Sequence, residues 1–115
     1  MQTQEIPPEQ WLEFVKQFSK DHLGWLASIE VLDPVVGPQQ EAQWQPLEGI
    51  SFDTKGTQAS SMSISVGSES GTYIRHIVDL PLHIREVEGV TADVDLQIEP
   101  ARGPTTLVHL RGPLH

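Results

Sequence analysis

The stretch LHIREVEGVTADVDLQIEPARGPTTLVHLRG, residues 82–112, decides the fold. Val94, Leu96 and Ile98 alternate with Asp93, Asp95, Gln97 and Glu99, the period of a strand with one buried face. Leu82 and Ile84 carry the same parity before it, and Val108 and Leu110 after it. The connections are too short for helical crossovers, so the three strands run antiparallel. Cross-strand partners lie on one side of a sheet, and matching the apolar sets pairs Ile84 with Val94 and Leu82 with Leu96. The loop then falls around Glu88, Gly89 and Val90. In the next hairpin Val94 meets Leu110 and Leu96 meets Val108, around the loop PARGP at residues 100–104. Two rows follow on the outer face. Arg85, Asp93 and Arg111 form one, and His83, Asp95 and His109 the other.

Alternating charges across neighbouring strands are a common means of fixing strand order, and this is the plain reading of both rows. The chemical reading makes His83, Asp95 and His109 a two-histidine, one-carboxylate metal site suited to zinc or iron. Val87 and Leu107 share the parity of these polar residues. The outer face is therefore part apolar, and a groove with convergent polar groups is the usual form of a binding site. Arg85, Asp93 and Arg111 are interaction candidates on that face. Trp44, set between Gln43 and Gln45, is another, as the tryptophan least suited to a core.

Working toward the N-terminus, SSMSISVG (60–67) sets Met62, Ile64 and Val66 inward and Ser61, Ser63 and Ser65 outward. TYIRHIVD (72–79) is a further strand that aims His76 inward beside Met62 or Ile64, where desolvation disfavours its charged form. EAQWQPLEGISFD (41–53) gives two short strands broken near Pro46, and LGWLASIEVLD (23–33) gives one that ends in an Asp-Pro turn. A helix occupies about residues 8–22. Trp11, Phe14, Val15 and Phe18 recur at helical spacing, Pro8 suits the first turn, and Gly24 follows the end. The fold class is α+β: an N-terminal helix packed on a curled, mainly antiparallel meander of about seven strands (about 24–111), barrel-like or a two-layer sandwich, in one domain spanning residues 1–115.

Sixteen acidic against seven basic residues give a net charge of −9. That balance repels phosphate backbones and anionic lipid, so neither nucleic acid nor membrane is an expected partner. No cysteine is present, which removes disulfides, thiolate metal sites and cysteine nucleophiles together. MQTQEIPPEQ lacks the basic start and apolar run of a signal peptide, so the expected compartment is the cytoplasm. VGSESG (66–71) has Glu69 where a nucleophile elbow needs serine, and no helix follows. Phosphate-loop, zinc-helix and dinucleotide fingerprints are absent, and no cofactor is expected.

The blocks EIPPEQW (5–11), FSKDHLGWLASIEV (18–31), PLEGISFD (46–53) and TTLVHLRG (105–112) resemble a bacterial family of small proteins known as domain of unknown function 5335. The resemblance runs from Glu5 to Gly112 and rests on the order of short blocks. It implies one compact bacterial cytoplasmic domain, and it carries no catalytic, cofactor or partner residue with it. The leading expectation is a non-enzymatic binding or protein-interaction domain, with a protein or small-molecule partner. The alternatives are a small metal-assisted enzyme using His83, Asp95 and His109, and a homodimer paired through a sheet edge or the Trp44 surface.

Overall fold

A computed structural model describes residues 2–55, 58–67, 71, 73–89 and 92–112. A 3-10 turn at Pro8–Gln10 leads into helix α1, Trp11–Asp21. Its apolar stripe is the expected one, with Trp11, Val15 and Phe18 buried and Phe14 packed against the core. Trp11 stacks on Phe52 at 5.9 Å between ring centroids. At the other end Phe18, His22 and Trp25 form a chain of ring contacts, and His22 Nδ1–H donates to the Phe18 carbonyl at 2.7 Å.

Among the described residues, eight strands make one antiparallel sheet. They are β1 (Gln2–Glu5), β2 (Leu26–Asp33), β3 (Gly37–Lys55), β4 (Gln58–Gly67), β5 (Tyr73–Asp79), β6 (Pro81–Glu88), β7 (Val94–Pro100) and β8 (Thr105–Arg111). Their order is β1-β6-β7-β8-β2-β3-β4-β5. The sheet curls without closing into a barrel, because β1 and β5 remain at its two ends. The expected α+β fold, a helix packed on a curled antiparallel sheet of about seven strands, is present, with two features that alternation does not announce. The polar segment QTQE adds a strand that no apolar alternation announces, and β2 lies beside β8 rather than following a simple up-and-down path.

The break expected near Pro46 is a change of partner within one continuous strand. Gly37 to Pro46 of β3 pairs with β2, whereas Leu47 to Lys55 pairs with β4, with a register shift between Leu47 and Gly49. Trp44, at φ 47°, sits just before this corner. A second corner joins β5 to β6 at Leu80, φ 48°. Its N–H donates to the Ser60 carbonyl at 2.9 Å, and its carbonyl accepts from the Ala101 N–H at 2.8 Å. Left-handed backbone costs a non-glycine residue about 1–2 kcal/mol, which these fixed bonds offset. The two corners fold β4 and β5 back over the rest of the sheet.

The fold-back encloses the core. Ile29, Met62, Ile64, Val66, Ile84, Leu96, Ile98 and Val108 are fully buried. Met62, Ile64 and Val66 therefore point inward as their parity requires. Ser63, on the opposite face, is not open to water. It is 4% exposed, because Arg75 lies across it and donates from Nη2 to Ser63 Oγ at 3.2 Å.

On the side of β3 facing away from β4, the helix and the segment after it cover Leu47 and Ile50. Ser19 Oγ accepts the Ile50 N–H at 3.0 Å, and the segment after α1 exchanges backbone bonds with Leu47: Gly24 N–H to Leu47 O at 2.9 Å, and Leu47 N–H to Trp25 O at 2.8 Å. Covering an edge in this way removes a template for unwanted strand pairing.

Candidate functional site

The β7–β8 hairpin has the expected register. Val94 pairs with Leu110, Asp95 with His109 and Leu96 with Val108. The β6–β7 hairpin does not. Ile84 pairs with Ile98, Arg85 with Gln97, Val87 with Asp95 and His83 with Glu99, a slide of four residues that preserves parity. The turn moves to the Gly89–Asp93 region, where the Gly89 N–H donates to the Asp93 carbonyl at 3.1 Å. Val90, placed in the expected loop, lies outside the described residues, as does Glu69 of VGSESG. Leu82 is half-exposed rather than in the core, since a bulge falls between Pro81 and His83.

The row His83–Asp95–His109 is corrected accordingly: the structure brings together only Asp95 and His109. His109 Nδ1–H donates to Asp95 Oδ1 at 3.0 Å, an ionised carboxylate being able only to accept. Its Nε2 faces Glu30 Oε1 at 3.9 Å. His83 instead meets Glu5, with Nδ1 3.0 Å from Oε2. Among the described residues no three His, Asp or Glu side chains are grouped to hold a metal ion.

Arg85 is likewise displaced from Asp93. It donates from Nε to Glu5 Oε1 at 3.1 Å and from Nη1 to Glu99 Oε2 at 3.1 Å. The His83 hydrogen bond, with the nearby positive charge of Arg85, holds the Glu5 carboxyl below its usual pKa. The cluster thus ties β1 to β6 and β7, and Glu5 and Glu99 are its unforeseen members. Arg111 lays its guanidinium 3.8 Å over the Trp44 ring, joining two interaction candidates that the sequence left separate. Asp93 is exposed just before β7.

Ser28 is the β2 partner of His109, so Asp95, His109 and Ser28 follow one another across three strands in the order of a hydrolase triad. The hydrogen bonds run otherwise. Ser28 is buried, donates from Oγ to the Ala42 carbonyl at 3.1 Å, and accepts from Gln40 Nε2 at 2.9 Å. A nucleophile must present its hydroxyl hydrogen to the base, and here that hydrogen goes to the Ala42 carbonyl of β3 rather than to His109.

His76 points inward as expected. It pairs with Ile64 and shares a 3.1 Å hydrogen bond between Nε2 and Thr106 Oγ1. Burial lowers its pKa, partly opposed by the charge of Glu41. It borders a concavity of about 170 Å³ with Val31, Asp79, Arg102 and Thr106, and Ile74 borders another of about 390 Å³ with Gln40, Glu41, Ala42, Gln43 and Gln45. Both shallow hollows thus take part of their lining from β5.

β5 also carries the feature that sequence reasoning missed. It is a terminal strand of seven residues, paired on one side only, to β4. Because the Leu80 N–H points to β4, strand alternation turns the N–H and C=O groups of Tyr73, Arg75, Ile77 and Asp79 toward the free side. The same four side chains occupy the outer face, and all four are exposed, with Tyr73 at 61% and Ile77 at 51%. Arg75 and Asp79 make no ion pair among the described residues. The signal was present in the apolar character of both faces of YIRHIVD: Ile74 and Val78 serve the core, leaving Tyr73 and Ile77 unaccounted for.

No helix among the described residues is long and apolar enough to cross a membrane. No solved structure matches the chain. An uncharacterised protein from Aquifex aeolicus (strain VF5) is 38% identical over 55 residues, a span covering 48% of this chain and 50% of the relative. The chain thus aligns with about half the length of that relative. The model of the family of unknown function DUF5335 matches residues 2–115, and the chain belongs to that family.

Proposed function

We propose that this is a non-enzymatic protein-interaction domain that takes an extended polypeptide segment onto the free side of β5. The observation that carries the reading is the row of outward backbone groups at Tyr73, Arg75, Ile77 and Asp79, flanked by exposed Tyr73 and Ile77. Strand addition uses such a row for affinity and alternate side chains for specificity. The terminal strand at the other end of the sheet, β1, has only four residues. The engaged hydroxyl of Ser28 favours binding over hydrolysis. The cysteine-free, acidic composition suits a bacterial cytoplasmic protein.

A displayed library of random peptides, selected on the wild type and counter-selected on Ile77→Pro, tests the proposal. Proline at 77 removes an outward N–H while leaving the ladder to β4 intact. Selected peptides should shift the amide NMR signals of residues 73–79 and lose binding to Ile77→Pro. Peptides that map elsewhere, or that bind both proteins equally, overturn it.

A further inference from the structure

We infer that the segment received by β5 is β5 of a second copy, paired antiparallel about a two-fold axis at Ile77. This rests on the reading of β5 as a docking edge and names its partner. The outward groups belong to odd-numbered residues, so a self-complementary register must pair odd with odd. Centred on Ile77, each Ile77 exchanges both backbone bonds with its symmetry mate, and Arg75 exchanges both with Asp79 of the second copy.

On the outer face the same register lays the two exposed Ile77 side chains against each other. It also sets each Arg75 directly opposite Asp79 of the second copy, on both sides of the axis. Opposite charges at that separation attract, and like charges repel. Other centres lose the match. A pair centred on Arg75 places two guanidinium groups face to face, and one centred on His76 sets each Arg75 against isoleucine. Charges on an edge strand ordinarily discourage pairing. Here the arginine and aspartate lie four residues apart on one face, so they select an antiparallel copy of the same strand. The contact is isologous, the form that closes a dimer rather than growing a filament.

The absence of cysteine makes the test direct. Ile77→Cys carries one thiol, and in a hydrogen-bonded pair the two Cα atoms stand ~5.5 Å apart, within disulfide reach. Mild oxidation at low concentration should give a cross-linked dimer, whereas His76→Cys should cross-link poorly. Sedimentation of the wild type should show a mass rising from 12.8 kDa toward twice that value with concentration. Arg75→Asp and Asp79→Arg should each weaken dimerisation about tenfold or more, and the double exchange Arg75→Asp with Asp79→Arg should restore it.

A wild type that stays monomeric, or a double exchange that restores nothing, overturns the self-pairing. If peptides still add to β5 in the selection above, the docking edge stands with a different partner. A dimer that survives Ile77→Pro, together with peptides that ignore β5, overturns both.

Discussion

Replacing Ser19 by alanine tests how the helix is fastened to the sheet. Ser19 Oγ accepts the Ile50 N–H at 3.0 Å on the side of β3 that has no partner strand, and Ile50 is 6% exposed. The variant leaves a largely buried N–H without its acceptor, at a cost of about 1–3 kcal/mol. Alanine returns roughly 0.5 kcal/mol through its better helix propensity. The net loss is then about 0.5–2.5 kcal/mol, which for a chain of 115 residues lowers Tm by roughly 2–10 °C. Circular dichroism melts give that figure, and hydrogen exchange read at Ile50 locates it. The Ile50 amide should exchange faster in Ser19→Ala and regain protection in Ser19→Thr. Gly49→Ala is the control for crowding, because its new Cβ would meet Ser19 Oγ at 3.5 Å, an ordinary contact. A Ser19→Ala protein with unchanged Tm and unchanged exchange at Ile50 would refute the reasoning: the helix would then be held by its apolar stripe and by the backbone bonds of Gly24 and Trp25 to Leu47.

Two further predictions concern pH. Burial raises the pKa of Glu86 above the ordinary 4.5, with the charge of Glu88 adding and that of His22 opposing. A raised folded pKa gives stability that is fully present below 4.5 and lost as pH rises through the folded value. Glu86→Gln should therefore raise Tm at pH 7, with the gain vanishing in acid; no gain at neutral pH would contradict the assignment. His76 has the opposite sign of dependence. Its folded pKa lies below the ordinary 6.5, so its contribution is present above 6.5 and lost as pH falls toward the folded value. Urea unfolding at a series of pH values from 7.5 to 5 should show a decline in the wild type that is shallower in His76→Gln, and parallel curves would remove His76 as its source.

The two hairpins of residues 82–112 show what a sequence can and cannot set. Parity was legible in β7 and β8, which bury the face that alternation assigns, and in β6 from Ile84 onward, whereas the bulge between Pro81 and His83 turns Leu82 outward. Register needs more, because a slide of any even number of residues preserves parity. In the β7–β8 hairpin the prolines at 100 and 104 restrict the loop, and matching the apolar residues across it gives the observed pairing. The β6–β7 loop has no such clamp. Matching apolar residues there set Ile84 against Val94, whereas the structure sets Ile84 against Ile98 and Glu86 against Leu96. Glu86 is only partly buried, and burial raises its pKa. Glu86 has the inward parity in either register, so alternation alone does not separate the two. The consequence reaches the outer face. The slide carries His83 from Asp95 to Glu99 and Arg85 to the side of Glu5, so a would-be metal row becomes two separate polar groups.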